Sequence, residues 1–92
     1  MKNIRWDEKK NIRLIKERAI SFEEIVKDIK EGRILDRVDH PNQERYAGQQ
    51  IYIINHKHYC YIVPFVETET EFFLKTIIPS RKKTKEYLKK GV

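Results

Sequence analysis

Apolar and polar positions alternate along this chain with two different periods, and the change of period divides it. From Asp7 to Glu31 the spacing is helical. Ile12, Ile15 and Ala19, with Leu14 beside them, mark a first helix over "EKKNIRLIKERA", with Asp7 as its N-cap. Phe22, Ile25, Val26 and Ile29 make an apolar stripe on a second helix. Ser21 and Glu24 form a capping box at its start, and Gly32 suits the left-handed position just past its end. Ahead of both, Ile4 and Trp6 fit either a very short strand or an N-terminal anchor.

Beyond Gly32 the period drops to two. "RILDRV" predicts a strand with Ile34, Asp36 and Val38 on one face and Leu35 on the other. "QIYIIN" predicts a second, rich in β-branched and aromatic residues. "HYCYIVPFVE" predicts a third, apolar on both faces like a covered central strand, although Pro64 cannot donate to a ladder and so implies a bulge or an unpaired side. "TEFFLKTIIP" predicts a fourth, with Phe72, Leu74, Thr76 and Ile78 on its more apolar face and Pro79 stopping it. Ser80 then caps a final helix, "RKKTKEYLKKG". The expected fold is one α+β domain over residues 1–92: two N-terminal helices, a four-stranded antiparallel meander and a C-terminal basic helix.

Length and composition agree with a single small core. The chain has 92 residues, of which 39% are hydrophobic and 37% charged with mixed sign, so disorder is not the first expectation. The one cysteine, Cys60, excludes an internal disulfide and reads as a buried, inert thiol. The start of the sequence lacks the apolar core of a signal peptide, and the longest apolar run, Tyr59 to Val66, is too short for a membrane helix. A cytoplasmic chain without membrane partners is expected.

The net charge is +6, and residues from Arg81 onward supply +5 of it: Arg81, Lys82, Lys83, Lys85, Lys89 and Lys90 against Glu86. The last helix is thus either a solvated basic face or a surface for RNA or an acidic partner. No phosphate-binding glycine loop and no serine nucleophile with an ordered base is visible. "HKH", His56 to His58, sits in a predicted hairpin turn without an apparent third metal ligand, so neither a metal nor a cofactor is expected.

The remaining chemistry gathers between Asp39 and Gln49. Cleaving RNA through its own 2′-hydroxyl needs a base, an acid and cations around the phosphorane. His40 and Glu44 can exchange protons, Arg45 and Arg81 can hold a phosphate, and Tyr46 can stack on a base. The same residues also fit an ordinary turn with a local ion pair.

"RWDEKKN" (Arg5 to Asn11), "ISFEE" (Ile20 to Glu24), "DHPNQERYAGQ" (Asp39 to Gln49) and "KTIIPSRKKTKEY" (Lys75 to Tyr87) together resemble the BrnT-like toxins of bacterial type II toxin–antitoxin systems, within the RelE/ParE superfamily. The resemblance implies a metal-independent ribonuclease that arrests translation, with the ribosome as a possible site of action. It implies neutralisation by a cognate antitoxin, usually of ribbon-helix-helix DNA-binding type. Carried over by position, the family's residues fall on Trp6, Asp7, Lys10, Asn11, His40, Glu44, Arg45, Ser80 and Arg81, which makes His40, Glu44, Arg45 and Arg81 the catalytic set; Lys10, with Tyr46 and the basic-helix residues Lys82, Lys83 and Lys85 from the residue reading, makes the RNA-binding set. Members of that family often have His-Gly ahead of the "ISFEE" segment, where this chain has Arg18-Ala19. A catalytically degenerate module that binds RNA or antitoxin is the alternative, and a topoisomerase inhibitor is a third reading at fold level only. Structural roles compete at several positions. Trp6 also reads as a core anchor, Asp7 as a cap, Lys10 as solvent-facing, and Tyr52, Tyr59 and Tyr61 as sheet packing.

Overall fold

A computed structural model describes residues 2–88. The elements in order are β1 (Asn3–Trp6), α1 (Glu8–Arg18), α2 (Phe22–Lys30), β2 (Ile34–Asp39), β3 (Gln50–His56), β4 (Tyr59–Glu67), β5 (Glu71–Leu74), β6 (Ile78–Pro79) and α3 (Arg81–Tyr87). Lys89, Lys90 and Gly91, placed on the last helix by the sequence, lie outside the described residues.

The fold is α+β, but the sheet is not a four-stranded antiparallel meander. It has six strands in the order β1-β5-β4-β3-β2, with β6 also paired to β4. Its edge strand β1 runs parallel to β5, Asn3 beside Glu71 and Trp6 beside Leu74. The two helices therefore lie between strands and do not begin the chain. They carry it from one edge of the sheet, β1, to the other, β2.

Two further corrections have local causes. The expected fourth strand is broken into β5 and β6, both on the same side of β4. Pro64 explains the break. Its carbonyl accepts from the Lys75 N–H at 2.8 Å. In an antiparallel ladder a residue's N–H and C=O point the same way, so the donor that proline lacks would have faced this side. After the break Ile77 is buried and Ile78 exposed, reversing the simple alternation. In β2 a register shift between Ile34 and Asp36 leaves Leu35 as the extra residue of a bulge. Ile34 pairs with Ile54, whereas Asp36 and Val38 pair with Ile53 and Ile51 on the opposite face.

Two cores result. Leu14, Ile20, Phe22 and Ile25 pack with Tyr52, Ile54, Val63, Phe65, Leu74 and Ile77 under α1 and α2. On the other face Ile51, Ile53 and Cys60 meet Tyr87 of α3 and Leu88, which caps that helix. That helix is pinned by Tyr87 Oη donating to Asp36 at 2.8 Å and by Thr84 Oγ1 accepting from the Cys60 N–H at 2.9 Å. Burial pushes the Cys60 thiol up, so it stays protonated, as an inert thiol should.

Helix ends follow the sequence closely. Asp7 accepts from the Lys9 N–H, and Ser21 accepts from the Glu24 N–H. Gly32 takes φ +80°, with its N–H on the Ile29 carbonyl and the Arg33 N–H on the Asp28 carbonyl. This Schellman pairing fixes where Arg33 leaves α2. Asn11, buried on α1, accepts from the Phe22 N–H at 2.8 Å and donates to Glu23 at 2.7 Å, so it caps α2 from outside.

A candidate acid–base cleft at the β3–β4 hairpin

The most chemically loaded place in the fold is a cleft of about 540 Å³ between α2 and the β3–β4 hairpin. Glu24, Lys27 and Asp28 line it from α2, Arg33 from the turn after α2, and Asn55, His56, Lys57 and His58 from the hairpin. Sequence spacing puts Glu24, Lys27 and Asp28 on neighbouring turns of one helix face.

His56 is only 8% exposed and Asp28 3%. The His56 Nδ1 lies 2.6 Å from Asp28 Oδ2, and its Nε2 lies 3.2 Å from Glu24 Oε2. In the imidazolium form both ring N–H groups donate, one to each carboxylate. Arg33 Nε donates to the other Asp28 oxygen at 2.8 Å, so the carboxylate that orients the imidazole is itself held. Hydrogen bonds from Arg33 to Glu31 and then Asp28 keep the guanidinium pKa above its ordinary value. Glu24 differs from Asp28 because its side chain is 41% exposed, and its other oxygen accepts from Ser21 Oγ at 3.4 Å. The Tyr61 ring packs edge-on to His56 at 5.6 Å, and burial, with Tyr59 and Glu24 adding, raises its phenol pKa.

The hairpin turn has unfavourable chemistry for its shape. Lys57 and His58 take φ +52° and +66°, a geometry that favours Asn-Gly. Non-glycine residues there cost about 1–2 kcal/mol each. The His58 N–H is held by Asn55 Oδ1 at 3.0 Å. The strained pair sets Lys57 and His58 on the cleft wall, where strain and function often coincide. No ion pair engages Lys27 or Lys57 among the described residues, nor do those residues contain a metal-binding group of three or more His, Cys, Asp or Glu.

The residues singled out by the sequence sit elsewhere. His40, Glu44, Arg45 and Tyr46 share the loop between β2 and β3. The His40 ring lies tilted against Tyr46, centroids 4.3 Å apart, Arg45 lies over Tyr46 at 5.5 Å, and Glu44 is exposed. His40 Nδ1 accepts from the Asn42 N–H at 3.1 Å. This loop is at the Gln50 end of β3, since the His40 N–H bonds the Gln49 carbonyl. Arg81 is at the other end, because the Ser80 N–H bonds the Cys60 carbonyl and Cys60 pairs with Asn55. Five residues of strand, roughly 17 Å, separate the two positions. The structure therefore brings His40, Arg45 and Tyr46 together and leaves Arg81 apart from them, at the hairpin end of the sheet. Lys10 is half-buried on α1, while Lys82 and Lys85 are exposed on α3 and Lys83 pairs with Glu86.

The sequence signal for the cleft was present but incomplete. "HKH" stood out as a hairpin with two histidines. Its partner Asp28, 28 residues earlier, falls on a helix face that the apolar stripe does not mark.

No family model matches the chain, and neither a curated protein nor a solved structure matches it. Fold and cleft define the class: a small α+β protein with a carboxylate-oriented histidine in a cation-lined groove. No helix among the described residues is long and apolar enough to cross a membrane.

Proposed function

We propose that this chain is a metal-independent ribonuclease of toxin type, neutralised by a cognate antitoxin. One observation carries the chemistry: a base candidate, Glu24, and an acid candidate, His56, face each other at 3.2 Å in a cleft that also holds Lys27 and Lys57. The sequence resemblance carries the biological role.

In this reading an RNA phosphodiester enters between Glu24 and His56, and the exposed Glu24 side chain moves aside. Glu24 takes the proton of the ribose 2′-hydroxyl. The 2′-oxygen forms a bond to phosphorus as the bond from phosphorus to the 5′-oxygen breaks. His56, held by Asp28, gives its Nε2 proton to the departing 5′-oxygen. Lys27 and Lys57 stabilise the phosphorane charge. The products are a 2′,3′-cyclic phosphate and a free 5′-hydroxyl. The His40–Tyr46–Arg45 cluster and the exposed cations of α3 would bind flanking RNA.

The test is cleavage of labelled RNA in EDTA by purified protein, beside a 2′-deoxy oligonucleotide. RNA should yield a cyclic phosphate and the deoxy strand should survive. His56→Ala and Glu24→Gln should each lower the rate by about 10²–10⁴, with growth arrest in bacteria relieved in parallel. Full activity in both variants would overturn the assignment of the site to this cleft.

A second reading has its own support. Arg81, Lys82 and Lys85 are exposed with no ion-pair partner among the described residues, which suits a binding module. Salt-dependent RNA binding without cleavage would select it.

A further inference from the structure

Helix α1 faces its apolar residues the wrong way for a core helix. Its buried positions are Asn11 and Leu14 only. Ile12 and Ile15 stand 64% and 50% exposed, and Ala19, one turn on, is exposed too. Polar bonds do much of the anchoring instead. Asn11 caps α2, and Arg18 Nη1 donates to the Ile77 carbonyl. Ile12, Ile15 and Ala19, at i, i+3 and i+7, make one outward stripe. Lys9, Arg13 and Lys16, all exposed and in no ion pair among the described residues, border Ile12 and run along one side of it.

We infer that this stripe docks an acidic amphipathic helix of another protein, its apolar face on Ile12 and Ile15 and its carboxylates on Lys9, Arg13 and Lys16. The charge decides the occupant. A second copy of the chain, itself at +6, would bring two cationic borders together, whereas an acidic helix neutralises them. The inference deepens the neutralisation half of the proposed function and rests on that reading only for the partner's role. The stripe lies on α1 and includes none of the cleft residues, so docking and cleavage are separable.

The experiment pans a displayed library of amphipathic helical peptides, diverse in charge, against the full chain. Enriched peptides should carry net negative charge with apolar residues at i, i+3 and i+4. Their affinity should fall tenfold or more against Ile12→Ser/Ile15→Ser and should weaken with salt. Both isoleucines are exposed, so the double variant should keep the wild-type circular dichroism melt and RNA cleavage rate. Enriched peptides that are neutral or basic, that bind the double variant equally, or that never emerge would overturn the inference. So would a wild-type dimer in sedimentation that the double variant abolishes, since the stripe would then serve a second copy. Loss of cleavage in His56→Ala with peptide binding intact would show that the two proposals stand on different residues.

Discussion

Asp28→Ala isolates what holds the cleft. The substitution removes two charge-assisted hydrogen bonds, to His56 at 2.6 Å and to Arg33 at 2.8 Å. Their losses differ. The Arg33 side chain is 38% exposed and keeps Glu31, so it turns to water at little cost. The His56 side chain is 10% exposed, and its Nδ1 loses the acceptor that oriented it, at about 2–3 kcal/mol. Together the fold should lose about 3 kcal/mol, a large share of a small domain's stability. With a urea slope of about 1–1.5 kcal/mol/M, the midpoint should fall by about 2–3 M. Trp6, the single tryptophan, stacks on Phe22 with ring centroids 5.7 Å apart and reports the transition. Asp28→Ala/His56→Ala completes the cycle, and the two should couple by more than about 1 kcal/mol. A loss under about 1 kcal/mol, or strict additivity, would refute the claim that the pair acts as a unit. Asp28→Asn, which keeps the volume, should unfold less readily yet still slow cleavage.

Four further outcomes are expected. Asn11→Ala removes the outside cap of α2 and should cost about 1–2 kcal/mol in the same urea assay. Ala19, at φ +55°, occupies the left-handed region, so Ala19→Gly should stabilise by up to about 1 kcal/mol, and a lower melting temperature would contradict it. Replacing Lys57-His58 by Asn-Gly should relieve turn strain and raise stability by about 1–2 kcal/mol while weakening RNA cleavage; gains in both would argue against a functional turn. Hydrogen bonds from Lys2 first and Arg37 second hold the Glu67 carboxyl below its ordinary value of 4.5. A depressed carboxylate contributes stability above its unfolded pKa and loses it as pH falls through the folded one. Glu67→Gln should therefore flatten the acid side of the melting profile below about pH 4.5, and an unchanged slope would count against the Lys2–Glu67–Arg37 cluster.

What the sequence determined by itself is what neighbours in the chain decide. Asp7, Ser21, Ser80 and Gly32 cap or end helices through groups a few residues away, so these boundaries were legible. β-branched and aromatic runs marked β3 and β4 for the same reason. The tertiary structure alone decided pairings across long separations. β1 reaches β5 across more than sixty residues, and no local pattern encodes a parallel partner. Pro64 announced a break, but only the pairing showed that the break falls on the neighbouring strand. The Leu35 bulge moved Ile34 to the other face, because one extra residue reverses a period of two. On α1 the apolar spacing named Ile12 and Ile15, whereas burial chose Asn11 and Leu14, since the cap for α2 had to point inward. The loop chemistry of His40 and Tyr46 was visible because those residues are close in sequence. The Glu24–His56–Asp28 arrangement was not, because a helix and a hairpin meet there only after the sheet has formed.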